Sequence, residues 1–303
     1  MFSGRISPVL VLVFLARCAS AAPETAQKKV LESQKSRFGL VSVHDAGGKR
    51  YISIGEQEQS GVNLADKREW VYTYMYLLSL GILAAEPTLG DKPANVLVIG
   101  LGGGSFSDFL AEVYPRWNVD VVEINPAVIR LAKKYFPIDN RVNIIEDDGR
   151  AYLKKTKKKY DVILMDAFGE HYIPPELYTV EYFKLLKSRL VPGGLTLMNT
   201  WEGNPLEAHE IVTLRSVFAK GYWLHHPRET PGNRIYILGD TLDDAGPVKD
   251  RISSLFSAKK FPGDSPGIVL TEMKNLNQGT YTTGPMTDAN VRGLFKKYRR
   301  EED

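Results

Sequence analysis

The chain has 303 residues, with 39 lysines and arginines, 36 aspartates and glutamates, and a net charge of +3. This balance excludes the basic stripe that nucleic-acid binding needs, so we expect no nucleic-acid partner. The length allows one large α/β domain with an annex, and the single cysteine, Cys18, excludes a disulfide within the chain.

The first predicted element is an export signal in residues 1–21. Arg5 precedes an apolar run at residues 8–16, and Ala19 and Ala21 form a small-x-small cleavage site. Because the run is too short to span a bilayer, we expect a secretory signal peptide, a secreted or periplasmic protein, and no stable membrane span after cleavage. A mitochondrial transit peptide is the alternative, since the first 20 residues carry basic but no acidic side chains.

Residues 22–86 are predicted to form an N-terminal β annex followed by a helix. Two alternating runs, residues 39–43 and 50–54, flank a Gly-Gly turn, which is typical of a β-hairpin. Apolar side chains then recur along residues 66–83 at the spacing of one helix face. The annex is also the surface through which we consider a homodimer.

Residues 87–303 are predicted to form a doubly wound, mostly parallel Rossmann-like sheet of the class I methyltransferase type, after a boundary loop at 87–93. Short apolar runs suited to buried parallel strands alternate with stretches of helical spacing. The predicted strands are residues 96–99, 119–123, 142–145, 161–165 and 195–199, and the later predicted helices are residues 177–190, 205–220 and 287–300. An antiparallel hairpin, residues 222–226 and 234–238, is expected at the far edge of the sheet.

A glycine-rich loop follows the first strand of this domain. Gly100, Gly102 and Gly104, with Gly103 between them, allow a sharp turn and a close approach of the backbone to a ligand. A helix predicted to begin at Ser105 directs its positive end and free N–H groups toward the same place. Strand, glycine turn and helix together predict a nucleotide-binding corner.

Carboxyl groups follow three predicted strands, at the sheet edge where doubly wound folds bind ligands. Glu123, followed by Ile124, stands about 20 residues beyond the loop, the usual place of an acid that binds ribose hydroxyls. Asp148 is expected to accept from an adenine amino group, and Gly149 to allow its close approach. Asp166 would lie at the reacting group, as proton acceptor or as an anionic clamp for an amine. Each acid could instead cap the next helix.

These motifs resemble those of the spermidine synthases and their relatives, the polyamine aminopropyltransferases. The resemblance extends from the annex, near residue 35, to residue 240, whereas ordinary class I methyltransferases lack such an annex. It implies a methyltransferase-like domain that binds decarboxylated S-adenosylmethionine, with Glu123 and Asp148 on the nucleoside. It also implies that Asp166 is the catalytic acid of the family, which deprotonates the attacking amine. The matching stretches are residues 96–105, 122–125, 147–149, 161–166 and 192–194.

The chain departs from the family pattern mainly on the side of the amine acceptor. The aspartate of the family's glycine loop is Gly103 here, and the second aspartate of its Asp-Ser-Ser-Asp motif is Gly169. A histidine that follows the annex in the family is Thr73 here. The ammonium groups of a polyamine need carboxylates or aromatic faces when desolvated. The candidate acceptor-binding residues are Glu69, Tyr72 and Tyr178, with Glu170 and Glu176 as further carboxylates.

Three functions are compatible with these residues. The first is aminopropyl transfer from decarboxylated S-adenosylmethionine to a polyamine or other amine, with Asp166 as base. The second is methyl transfer from S-adenosylmethionine, because Gly103 removes a repulsion and the glycine loop could bind the donor's carboxylate. The third is a non-catalytic nucleoside- or polyamine-binding protein. No metal is expected, because the histidines lack ligand spacing, and residues 169–175 are predicted to form a lid.

Overall fold

The computed structural model describes residues 27–90, 92–168, 174–229 and 232–299. The predicted signal peptide and residues 169–173 of the predicted lid lie outside these ranges. In the described part, a four-stranded antiparallel sheet precedes an eight-stranded sheet flanked by helices. The predicted α/β class, with a mostly parallel central sheet and a small N-terminal β annex, is confirmed.

The annex contains the predicted hairpin and a strand on either side of it. Its strands are β1 Lys29–Ser36, β2 Gly39–Ala46, β3 Lys49–Ile54 and β4 Gln57–Asn63, hydrogen-bonded in that order. Gly47 and Gly48 join β2 to β3 with φ angles of 54° and 73°, which residues with a Cβ rarely adopt. The sequence does not predict β1, because this edge strand is mostly polar and lacks a clear alternation.

The helix predicted at residues 66–83 begins and ends later, as α1 Thr73–Leu89. Asn63 and Asp66 each accept a backbone N–H two residues further on, at 2.9 Å. Bonds of this kind hold the chain in turns and compete with the helix. At its other end α1 continues past residue 86, and Gly90, with a φ of 47°, terminates it. The predicted boundary loop is therefore shorter than expected.

The main sheet has the order β12-β10-β11-β9-β8-β5-β6-β7, and β5 to β9 are parallel. Because β6 and β8 lie on opposite sides of β5, the carboxyl end of β5 is the switch point at which such sheets bind ligands. The hairpin of β10 and β11 is confirmed, with a two-residue strand beyond it. The strands are β5 Ala94–Ile99, β6 Trp117–Glu123, β7 Asn143–Glu146, β8 Tyr160–Met165, β9 Leu190–Trp201, β10 Lys220–His225, β11 Asn233–Gly239 and β12 Lys274–Asn275.

Three predicted helices are shorter than the sequence indicates, and one of them, predicted at 287–300, begins only at Val291. The first, predicted at 177–190, divides into a 3₁₀ turn, Pro175–Leu177, and a helix that Thr179 caps by accepting the N–H of Tyr182 at 3.1 Å. The second, predicted at 205–220, ends at residue 215. The helices after α1 are α2 Ser105–Val113, α3 Pro126–Tyr135, α4 Gly149–Lys155, α5 Val180–Lys187, α6 Glu207–Arg215, α7 Ala245–Lys259, α8 Gly267–Thr271 and α9 Val291–Arg299.

Two apolar layers cover the main sheet, one on each face. The first contains α1, α2, α3 and α7 and packs against β2 and β3 of the annex, where Val41, Val43 and Ile52 are fully buried. Arg50 of β3 also donates to the carbonyl oxygen of Tyr135 at 2.8 Å. The annex is thereby fixed beside the carboxyl ends of the central strands. Within the described ranges, no helix has the length and apolar character needed to cross a membrane.

Candidate active site

A cavity of about 630 Å³ lies at the carboxyl ends of β5, β6 and β8. Its volume falls in the range of small-molecule sites. The main sheet supplies the glycine loop and the acids predicted at the strand ends, and the annex supplies the opposite wall. The annex residues in this wall are Arg37, Phe38, Ile52, Ile54, Gln59 and Ser60.

The glycine loop brings two strand ends into contact. Gly100 has a φ of 105°, and a Cβ at this position would lie 2.2 Å from the carbonyl oxygen of Asp166. Only a glycine therefore allows the end of β5 to pass so close to the end of β8. Gly100 and Gly102 line the cavity, whereas Gly104, also predicted to bind the ligand, does not: a Cβ at Gly104 would meet Ile138 at 2.6 Å.

Glu123 is held at the carboxyl end of β6 by the backbone. Its Oε2 accepts the N–H of Leu101 at 2.9 Å, and its Oε1 accepts the N–H of Asn125 at 2.8 Å. Burial raises the pKa of Glu123, and these N–H groups oppose the shift. Asn125, not Glu123, caps α3, by accepting from Ala127 at 3.1 Å. Glu123 and the adjacent Ile124 both line the cavity.

Asp148 caps a helix and also lines the cavity, so its position is compatible with both predicted roles. Its Oδ1 accepts the N–H of Ala151 at 2.7 Å, so it caps α4, and its exposed side chain also lines the cavity. The following Gly149 packs against β5, because a Cβ there would lie 2.6 Å from Cγ2 of Ile99. The glycine thus allows close packing of helix on strand, and it also lines the cavity.

Asp166, at the end of β8, lies in the cavity wall with one oxygen held by an amide. Asn199 Nδ2 donates to Asp166 Oδ1 at 2.8 Å. Burial raises the pKa of Asp166 to about 6, and the Asn199 bond opposes this rise. Burial and the charge of Asp166 in turn raise the pKa of Tyr74, which lines the same cavity. A carboxylate that is ionised at neutral pH and more basic than usual is suited to accept a proton.

Three predicted acceptor-binding residues do not line this cavity. Glu69 and Tyr72 precede the late-starting α1 and bind annex side chains instead: Asn63 donates to Glu69 at 2.5 Å, and the Tyr72 hydroxyl donates to Glu58 at 2.7 Å. Tyr178 is 4% exposed in the core, and its hydroxyl donates to Thr200 at 3.1 Å. Tyr182 and Phe183 are also core residues. Glu170 lies outside the described residues.

Several residues of the site are not among those predicted from the sequence. Tyr74 and Gln59 face the site, and Asn199 holds its carboxylate. Asn199 could have been found, because it is a polar residue at the carboxyl end of an apolar strand run. Tyr74 could not, because its orientation depends on where α1 begins.

Two charged side chains of the cavity lining form ion pairs outside the cavity. Arg150 donates to Asp288 at 2.8 Å, and Glu176 accepts from Arg292 at 2.9 Å. The partners in these two pairs, Asp288 and Arg292, come from the segment that ends in α9, which therefore lies beside this part of the cavity wall. Arg37 lies 4.6 Å from the centre of the Phe38 ring and makes no ion pair within the described part of the chain. The part of the chain that the structure describes contains no group of three or more histidine, cysteine or acidic side chains arranged for a metal ion.

Comparison with known proteins identifies the family. The family model of the spermine/spermidine synthase domain matches residues 80–225. The polyamine aminopropyltransferase of Vibrio vulnificus is 33% identical over 260 residues, which cover 84% of this chain and 86% of that protein. The chain belongs to the spermine/spermidine synthase family. The resemblance noted in the sequence is thereby confirmed.

Solved structures confirm the fold of this spermidine synthase family member. The spermidine synthase of Thermotoga maritima has a TM-score of 0.61 and 18% identity, covering 80% of this chain and 83% of that one. Human methyltransferase-like protein 13, solved in complex with SAH, has a TM-score of 0.56 and 23% identity, covering 63% of this chain and 94% of that one. At these identities the likeness concerns the fold, a Rossmann-like sheet of the methyltransferase type.

Proposed function

We propose that this protein transfers an aminopropyl group from decarboxylated S-adenosylmethionine to an amine. The observation that carries this proposal is Asp166, a carboxylate of raised pKa at the switch point of the sheet, held by Asn199 beside the nucleoside pocket. The name of the relative, polyamine aminopropyltransferase, supports the same reaction and points to a polyamine as the acceptor.

The residues of the site fit both the binding of the donor's nucleoside and the transfer of the proton. Glu123 uses one lone pair of each oxygen for the backbone and retains others that can accept two ribose hydroxyls. The amine nitrogen attacks the methylene carbon bonded to the sulfonium, so a C–N bond forms and the C–S bond breaks. The electron pair stays on sulfur, which becomes the neutral thioether of methylthioadenosine. Asp166 takes the proton that the nitrogen loses.

Product analysis tests this proposal. The purified protein is incubated with the decarboxylated donor and a panel of diamines and polyamines, and the nucleoside product is identified by mass spectrometry. We expect methylthioadenosine together with an amine heavier by one aminopropyl group. Release of no nucleoside across the panel would contradict the proposal and favour a protein that only binds nucleosides or polyamines.

Methyl transfer is a second candidate because of the position that replaces the family's aspartate. A Cβ at Gly103 would lie 2.6 Å from the ring of Phe136, so the space of an acidic side chain is filled. Arg37, unpaired in the described part, could bind the carboxylate of S-adenosylmethionine. Calorimetric titration with the carboxylated and decarboxylated donors decides between the two. Tighter binding of the carboxylated donor, with S-adenosylhomocysteine as product, would overturn the first candidate.

We further propose that the protein is exported and that its signal peptide ends at Ala21. The apolar run and the small-x-small site of the first 21 residues support this proposal. Cell fractionation followed by N-terminal sequencing tests it, and we expect a mature chain that begins at residue 22. An uncleaved N-terminus, or accumulation in mitochondria, would contradict export.

We also propose that the annex mediates a homodimer. β1 is an edge strand, and Val30 and Leu40 on the first two strands are 56% and 45% exposed. Unpaired strand edges and exposed apolar side chains favour association. Light scattering of the protein and of the variant Val30→Lys tests this proposal. A monomeric mass for the unmodified protein would contradict it.

A further inference from the structure

Two side-chain amides connect β11 to the carboxylate of Asp166 through consecutive hydrogen bonds. Asn233 Nδ2 donates to Asn199 Oδ1 at 3.0 Å, and Asn199 Nδ2 donates to Asp166 Oδ1 at 2.8 Å. In the antiparallel pairing of β9 and β11, Asn199 lies opposite Ile235, so Asn233 is its diagonal neighbour on the same face. Asn199 is 4% exposed, which leaves its amide dependent on protein partners.

The amide of Asn199 has one donor end and one acceptor end, and its orientation matters. An ionised carboxylate only accepts hydrogen bonds, so the Nδ2 end of Asn199 must face Asp166. A flipped amide would place Oδ1 against the carboxylate. The bond from Asn233 opposes that flip, because it gives Oδ1 a donor on the side away from Asp166.

We infer that Asn233 is a positioning residue of this site, which fixes the amide of Asn199 and through it the Asp166 carboxylate. The inference rests on the proposed function and deepens it, because the carboxylate oriented in this way is the proposed proton acceptor. Among the residues that the structure describes, Asn233 is connected to Asp166 by hydrogen bonds through Asn199, so we expect its effect on Asp166 to pass through that residue.

The other charged groups near the cavity do not replace this support. Tyr74 on α1 is the titratable side chain whose pKa the charge of Asp166 raises, and it carries no positive charge. No lysine, arginine or histidine of the described ranges pairs with Asp166. The charged residues that line the cavity besides Asp166 are Arg37, Glu123, Asp148, Arg150 and Glu176. Of these, Arg150 and Glu176 are bound to other side chains.

Loss of the Asn233 donor has a defined consequence for Asp166. An N–H donated to a carboxylate favours its charged form and lowers its pKa. When the amide of Asn199 is free to turn, that support weakens and Asp166 holds its proton to higher pH. We therefore expect the acid limb of the pH–rate profile to move to higher pH by up to about one unit, with little change in rate at pH 9.

The experiment compares three variants, Asn233→Leu, Asn199→Leu and the double variant, with the unmodified protein. The carboxyl ¹³C signal of Asp166 is titrated by NMR and assigned by its absence from Asp166→Asn, and kcat is measured across the same pH range. If Asn233 acts through Asn199, the double variant has the same pKa at Asp166 as Asn199→Leu alone, rather than the sum of two shifts. Ile235→Val, a packing change opposite Asn199, serves as control and leaves the titration unchanged.

An Asp166 titration that is unchanged in Asn233→Leu, or shifts that add in the double variant, would overturn the inference. If Asn233→Leu fails to fold, as judged by circular dichroism, Asn233→Ala replaces it, because it removes the donor without adding bulk. The NMR titration needs no turnover. A shifted titration without activity on any amine would thus refute the proposed function and leave the positioning role of Asn233 in place.

Discussion

Gly100 holds a position in which any side chain would collide with the backbone. Its φ of 105° is unfavourable for residues with a Cβ, and the nearest atom is a carbonyl oxygen of Asp166 rather than a movable side chain. We expect Gly100→Ala to lower the free energy of unfolding by about 3 kcal/mol or more, measured by urea denaturation. Gly48→Ala is the control: its φ is 73°, and no atom lies within 4 Å of the new Cβ. It should cost about 1 kcal/mol.

Asp166→Asn should remove turnover and increase stability above neutral pH. The folded protein raises the pKa of this carboxyl from 3.8 to about 6, so its protonated form is favoured by folding. Stability from this group is complete below pH 4 and decreases as pH rises through 6. The neutral amide of the variant removes that decrease. Compared with the unmodified protein, its free energy of unfolding should therefore be higher by about 1–3 kcal/mol at pH 8 and little changed at pH 4. Denaturation at both pH values checks this. Equal gains at pH 4 and pH 8 would contradict it.

At the scale of single residues, the sequence predicts the site residues that lie at the ends of strands. It does not predict contacts that depend on how a side chain is oriented. Gly100, Glu123 and Asp166 follow apolar strand runs, so the parallel sheet places them at one edge. Tyr74 is not recognisable in this way, because its contacts depend on the start of α1. Asn199 does follow an apolar run, but its neighbours across the sheet depend on the pairing of β9 with β11.

At the scale of elements, the central strands are predictable because burial on both faces leaves a continuous apolar run. β1, α7 and β12 are not, since their sequences have no strong period and their formation depends on neighbours already in place. α1 shows a different limit. Its sequence has helical spacing from residue 66, but Asn63 and Asp66 bind nearby backbone groups and delay the helix to Thr73.

The start of α4 provides a test of the two roles of Asp148. Asp148→Ala should lower the free energy of unfolding by about 1 kcal/mol, because the cap bond to Ala151 is lost. It should also weaken nucleoside donor binding about tenfold if the carboxylate accepts from the adenine amino group. Asp148→Asn keeps an acceptor oxygen and should largely preserve both properties. Unchanged donor affinity in Asp148→Ala, measured by calorimetry, would show that the residue is only a cap.

In the segment before α9, the side chain of Asp288 binds a residue of the cavity wall. Asp288 accepts from Arg150 at 2.8 Å and from the hydroxyl of Thr179, the cap of α5, at 2.7 Å. Asp288→Ala should lower the free energy of unfolding by about 1–2 kcal/mol, because it leaves the partly buried Arg150 without its carboxylate partner. Arg292→Ala breaks an exposed pair with Glu176 and should have almost no effect. Thermal melts compare the two variants, and equal losses would contradict this ranking.

At the scale of the whole molecule, buried carboxyls make stability depend on pH in an unusual direction. Glu210 of α6 is 1% exposed, and burial raises its pKa from 4.5 to about 7. Because the folded state retains the proton, stability from this group is present below pH 4.5 and decreases as pH rises through 7. We expect the protein to lose about 2 kcal/mol between pH 5 and pH 8 from this source.

Glu210→Gln tests this dependence, with denaturation followed at several pH values. The variant should lose less stability between pH 5 and pH 8 than the unmodified protein. Glu56→Gln, a change of the same charge at an exposed turn, is the control and should leave the pH dependence as it was. A Glu210→Gln profile parallel to that of the unmodified protein would contradict the assignment.

The cavity wall contributed by Phe38, Ile52, Ile54 and Gln59 has a consequence for the evolution of this fold. The annex strands carry the wall opposite the catalytic strand ends, so mutation there can change which molecule fits without altering β5, β6 or β8. Divergence in substrate choice can therefore proceed in the annex while the nucleoside half stays constant. Because the annex wall and the nucleoside-binding strands are separate parts of the chain, the annex residues that line the cavity are a suitable starting point for directed evolution toward new acceptors.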